Sequence, residues 1–143
     1  ITLNNKMLEQ LIPVQIRNRF RLLGERNDIY ELMNTMDVFC LSSAWGEGFP
    51  NVIGEAMATN VPCVATDVGD SAAIIGETGF IVPPRADMAL ASAIENALTM
   101  PMTERRILGE HARIRIEENY SLGAIVEQYT TLYKRLMTAK NVC

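Results

Sequence analysis

The chain has 143 residues, 48% of them hydrophobic, which suits a single domain with a real core and excludes a disordered segment. Thirteen basic and 17 acidic residues leave a net charge of −4, so broad electrostatic binding to nucleic acid is not expected. The three cysteines cannot all pair and show no Cys-x-x-Cys or Cys/His spacing, so reduced thiols, a cytosolic setting and no metal are expected.

From the amino end, Leu3, Met7, Leu8, Leu11 and Ile12 follow a helical spacing that Pro13 ends. Arg19 to Leu23 reads as a short strand closed by Gly24. Asp28 is placed to cap a helix over about 29–36 with Ile29, Leu32, Met33 and Met36 inward. A strand over 38–42 follows, then a loop and a helix reaching about Thr59. Asn60 serves as a left-handed stop there, and Pro62 forbids continuation. Val61–Thr66 is a buried strand, with Cys63 and, in the preceding strand, Cys40 packing as small hydrophobes. A turn at Gly69 leads to a short helix near 70–75 that Asp70 would cap, and Gly79 opens a strand ended by Pro83-Pro84. Beyond Asp87 the pattern is helical: 87–99, about 103–118 and 122–139. Met33, Met36, Met57, Met88, Met100 and Met102 fall mostly on apolar helical positions and read as core filler.

Strand and helix alternate four times, and the middle strands are solidly apolar. The expected fold is therefore α/β, a Rossmann-like doubly wound parallel sheet with helices on both faces and extra helices at the carboxyl end. In such sheets ligands bind at the carboxyl ends of the strands. The segment Glu47-Gly48-Phe49-Pro50-Asn51-Val52-Ile53-Gly54-Glu55 leaves one of those ends, with a carboxylate on either side of a loop that becomes a helix. Unpaired amides at a helix start suit phosphate, and carboxylates accept hydrogen bonds from sugar hydroxyls. Taken singly, Glu47 reads as a solvated loop residue and Glu55 as a charge favoured near a helix start. Together they suggest a holder for a ligand that is part phosphate and part sugar.

Five ordered blocks carry a more specific resemblance. They are Leu23-Gly24 with Asp28-Ile29; Met36 to Ser43; Glu47 to Ala58; Pro62 to Thr66; and Gly79 to Pro84. In order, spacing and chemistry they resemble the C-terminal half of a GT-B glycosyltransferase of the large retaining family called family 4 or group 1. The likeness runs from Phe20 to about Leu98. It implies an enzyme that moves a sugar from a nucleotide-diphosphate sugar to an acceptor, carbohydrate or lipid-linked, with this domain holding the donor and no cofactor. By match to the motif, Glu47 would bind hydroxyls of the donor sugar and Glu55 the ribose. The stretch from Gly48 through Phe49 and Asn51 to Val52 would line the sugar and diphosphate, and Glu25 and Arg26 lie in the loop that such enzymes place near the base. Polysaccharide assembly in the cytoplasm, or at the inner face of the membrane, fits the family's habits.

The chain departs from the family pattern in two places. Pro50 stands where Gly is frequent and removes an N–H. With Asn51 as cap the amides of Val52, Ile53 and Gly54 would stay free, whereas Pro50 could itself be the first helical residue. The family's basic pair for the diphosphate belongs to an earlier strand–helix unit. Residues 1–143 therefore read as one partial domain, truncated at its amino end, that begins without Met or a polar leader. The first strand–helix units and an acceptor-binding N-terminal domain, through which any peripheral membrane contact would be made, are expected upstream. In the usual strand order the 19–23 strand then lies at the far edge, beyond strands that this chain does not contain, and the fragment alone would be inactive. Rival readings are a nucleotide-sugar 2-epimerase or polymerase of the same fold, and a non-catalytic nucleotide-sugar-binding or interaction module. Trp45 is open to two readings, stacking on a ligand or half-buried packing. His111, flanked by Glu110 and Arg113, reads as exposed.

Overall fold

A computed structural model describes residues 3–140. Helix α1 (Leu3–Leu11) is followed by a 3-10 helix over Val14–Arg19 and by α2 (Ile29–Met33). Strand β1 (Phe39–Leu41) leads to α3 (Asn51–Ala58), β2 (Cys63–Thr66) to α4 (Ser71–Ile75), and β3 (Gly79–Val82) to α5 (Asp87–Thr99). Two 19-residue helices, α6 (Met102–Tyr120) and α7 (Leu122–Lys140), complete the fold.

The three strands are parallel, in the order β1-β2-β3, with Phe39 beside Cys63 and Cys63 beside Gly79. All four residues of β2 are buried, because helices cover both faces of the central strand. Side chains alternate across the sheet. Cys63 and Ala65 join Met33, Ile53, Met57, Ile74, Ile75 and Ala112 on one face. On the other, Val64 and Val82 pack against Ala93 and Ala97 of α5. Helix α6 reaches the first face through Gly109, where a β-carbon would lie 2.0 Å from the Asn60 carbonyl oxygen. Asn60 takes the left-handed conformation expected of it (φ 61°) and stops α3 beneath that crossing.

Several expectations change. Residues 19–23 do not form a paired strand: Arg19 closes the 3-10 helix and Phe20 is extended, while Leu22 and Leu23 stay exposed. A strand needs a neighbour's hydrogen bonds, and no strand adjoins the outer edge of β1 among the described residues. Helix α2 ends at Met33, sooner than expected, and Asp28 stands at its start without capping it. The Asp28 carboxylate is bound instead by Arg26, and only its main-chain carbonyl joins the helix, accepting from the Leu32 N–H at 3.1 Å. Asp70 likewise makes no side-chain cap. Cys63 is buried as expected, but Cys40 is exposed, because α5 covers β2 and β3 and leaves that face of β1 open. Met88 and Met102 lie on the surface rather than in the core. Helix α7 packs on α6 and leaves Leu122, Val126, Tyr129, Tyr133 and Met137 exposed.

Candidate functional site

The carboxyl end of β1 runs into a loop that returns as α3, and the end of β2 holds that loop in place. The hydroxyl of Thr66, a residue only 4% exposed, donates to the Ser43 carbonyl at 2.6 Å. The hydroxyl of Ser43 in turn donates to Glu47 Oε1 at 2.6 Å. A buried β2 side chain, the loop backbone and the first glutamate are thus joined in series. On the next turn the Asp70 N–H donates to the Gly48 carbonyl at 2.8 Å. Gly69 (φ 58°) lies directly against the Glu47–Gly48 backbone, in a left-handed conformation that a side chain disfavours.

Pro50 neither begins the helix nor leaves Asn51 as its cap. It occupies the cap position itself (φ −73°, ψ 91°), and Asn51 is the first helical residue. The Pro50 carbonyl accepts from the Ile53 N–H at 3.1 Å, so that amide is not free for a ligand. Among the described residues no acceptor is bonded to the N–H of Gly48, Phe49, Asn51 or Val52. Val52 is thus free as an Asn51 cap would leave it, while Ile53 is taken and further free donors lie in the preceding loop at Gly48 and Phe49. Unpaired amides clustered at a helix start favour an anionic or strongly accepting ligand.

Glu55 sits one turn into α3, where it is partly exposed. It lines a cavity of about 320 Å³ with Tyr30, Phe49, Asn51 and Tyr120 among its walls. Phe49 and Tyr120 meet with ring centroids 5.6 Å apart, and the Tyr120 hydroxyl donates to the Ala73 carbonyl at 3.0 Å. Tyr120, read from sequence only as part of a helix break, is thereby a wall of the site. Glu47 is not among the residues lining that cavity. The two glutamates lie on one loop–helix unit in different surroundings, Glu47 tied to Ser43 and Glu55 open to the aromatic cavity.

Glu25 and Arg26 are exposed. The Arg26 Nε donates to Asp28 Oδ1 at 2.7 Å, and a second contact joins its terminal nitrogen to Oδ2. This pairing raises the guanidinium pKa and holds the Asp28 carboxyl below its ordinary value. Neither Glu25 nor Arg26 is hydrogen-bonded to the 47–55 segment; the chain after them reaches the cavity through Tyr30. Trp45 is 73% exposed rather than half-buried, with the Arg85 guanidinium 5.4 Å from its ring centroid. His111 is exposed, as expected.

Comparison with known proteins places these features in context. Residues 3–100 match the sequence pattern of the family described as glycosyl transferases group 1. N-acetyl-alpha-D-glucosaminyl L-malate synthase of Bacillus anthracis is 32% identical over 131 residues, which cover 89% of this chain and 33% of that protein. The Escherichia coli UDP-Gal:alpha-D-GlcNAc-diphosphoundecaprenol alpha-1,3-galactosyltransferase is 27% identical, again over 89% of this chain and 33% of its own length. A glycosyltransferase structure from Rickettsia africae superposes with a TM-score of 0.81 at 25% identity, covering 94% of this chain and 36% of that one. The chain thus spans about a third of the length of the curated relatives it matches.

Proposed function

Because this chain belongs to the group 1 glycosyltransferases and has the fold of their C-terminal GT-B half, we propose that it forms the donor-binding part of a retaining enzyme that transfers a sugar from a nucleoside diphosphate. The observation that carries the reading is the mouth of α3. There the amides of Gly48, Phe49, Asn51 and Val52 lack acceptors, Glu47 is held by Ser43, and Glu55 borders an open cavity. Glu47 binds hydroxyls of the donor sugar. The free amides meet the sugar and the diphosphate, and Glu55 takes the ribose hydroxyls, with Phe49 and Tyr120 as apolar walls.

As the glycosidic bond breaks, negative charge grows on the leaving diphosphate. Amide dipoles fixed by folding stabilise that charge without having to reorganise. Glu47 orients the sugar and is not a nucleophile; the leaving phosphate takes the acceptor's proton on the same face, which retains the configuration. The basic pair for the diphosphate and the acceptor site belong to other parts of the same polypeptide. The E. coli relative's name specifies a lipid-diphosphate acceptor, which supports an acceptor of that type. No described helix is long and apolar enough to cross a membrane.

The test is a calorimetric screen of the full-length enzyme against UDP, GDP, UDP-glucose, UDP-N-acetylglucosamine, UDP-galactose and GDP-mannose. One sugar nucleotide should bind more tightly than its bare nucleoside diphosphate, and Glu47→Gln should remove that difference. Failure of every probe to bind, or an unchanged difference in the variant, rejects the reading. Binding without transfer to any acceptor would favour the non-catalytic module.

A further inference from the structure

We propose that Ser43 and Thr66 are positioning residues for the donor sugar, acting through the Glu47 carboxylate; the inference rests on the donor-site reading above. A glutamate on a surface loop has three rotatable side-chain bonds and ordinarily samples many conformers, losing considerable entropy when one is selected. Here the selection is made before any ligand arrives. The Ser43 hydroxyl fixes Glu47 Oε1 at 2.6 Å, and Thr66 fixes the Ser43 carbonyl at 2.6 Å from a buried position on the central strand. The Thr66 hydroxyl also lies 3.4 Å from the Leu41 carbonyl, but it has one proton, and the shorter contact takes it.

The chemistry of the relay sets what the site accepts. A carboxylate only accepts hydrogen bonds, so Ser43 must donate to it. That bond takes one lone pair of Oε1 and leaves Oε2 fully available, which presents a single oriented acceptor edge to a pair of sugar hydroxyls. The anchor is in the strand and not in the loop, so the carboxylate's position is tied to the buried central strand of the sheet. Support of this kind lowers the entropy lost on binding and sharpens discrimination between sugar epimers.

The experiment compares Ser43→Ala, Thr66→Val and Thr66→Ser in the full-length enzyme, using the sugar nucleotide that binds in the screen above and its free nucleoside diphosphate. Ser43→Ala and Thr66→Val should each weaken the sugar nucleotide by about tenfold, the scale of one hydrogen bond, while the bare diphosphate binds as before. Thr66→Ser keeps the hydroxyl and should restore sugar-nucleotide binding. In a Glu47→Gln background, Ser43→Ala should cause little further loss, since both changes break one path. Equal weakening of both ligands would mark a purely structural role and overturn the inference. A damaging Glu47→Gln beside a silent Ser43→Ala overturns this inference alone, whereas a silent Glu47→Gln overturns the donor-site reading and this one with it.

Discussion

Gly69 lies so close to Gly48 that a β-carbon on it would fall 2.3 Å from the Gly48 carbonyl oxygen and 2.6 Å from that of Glu47. Both obstacles are backbone atoms, so no side-chain rotation relieves the overlap. The turn after β2 and the loop carrying the first glutamate are therefore built against each other. Gly69→Ala should lower stability by about 1–3 kcal/mol, combining the left-handed backbone penalty with displacement of the loop. Urea unfolding measures the first effect, and donor titration of the folded variant should show weaker binding of the sugar nucleotide.

Loss of either glutamate should act differently. On the donor-site reading proposed above, Glu47→Ala should remove contacts to the sugar and abolish most turnover in the full-length enzyme. On the same reading, Glu55→Ala should mainly raise the donor KM by about tenfold or more, the scale of one charged hydrogen-bond acceptor proposed for the ribose. Steady-state kinetics with varied donor separate the two; wild-type values in both variants would reject the assignment.

Gly109 offers a test remote from the site. Its missing β-carbon lets α6 press on the end of α3 at the Asn60 carbonyl. Gly109→Ala raises helix propensity by about 1 kcal/mol, yet it should destabilise the protein overall by about 1–3 kcal/mol because the helices must separate. A raised thermal midpoint would contradict this packing.

The two described cysteines should differ in chemistry. Burial, with a smaller contribution from Cys40, pushes the Cys63 thiol up to about 12, and Cys63 has no exposed surface. Peptide mapping after alkylation at neutral pH should find Cys40 modified and Cys63 protected until unfolding. The linkage has a definite sign. The native thiol keeps its proton where the unfolded one, with a pKa near 8.5, has released it. Its contribution to stability is complete below about pH 8.5 and declines as pH rises toward 12. Cys63→Ala should flatten that part of the urea-midpoint profile.

Much of the fold was legible in local signals. The apolar spacing located α5, α6 and α7, and Asn60 with Pro62 marked the end of α3. What escaped depends on neighbours. The Arg19–Leu23 segment has strand composition, but pairing is supplied by another strand. Asp28 and Asp70 have capping chemistry; one is taken by Arg26, and the backbone of the other is used to hold Gly48. At the site, the E-x7-E spacing pointed to the loop and helix mouth. The roles of Ser43, Thr66 and Tyr120 depend on contacts across 4, 23 and 47 residues of sequence, which spacing does not reveal.

The outer side of β1 carries a further consequence. Its main-chain donors and acceptors face no neighbouring strand among the described residues, and the exposed Cys40 lies on the same strand. Such a border is a template for further strands, and the protein carries it next to the loop that bears Glu47. Prepared alone at high concentration, the 143-residue chain should recruit its own kind edge to edge, with turbidity rising as the square or a higher power of concentration. A lysine placed on that strand should suppress the growth.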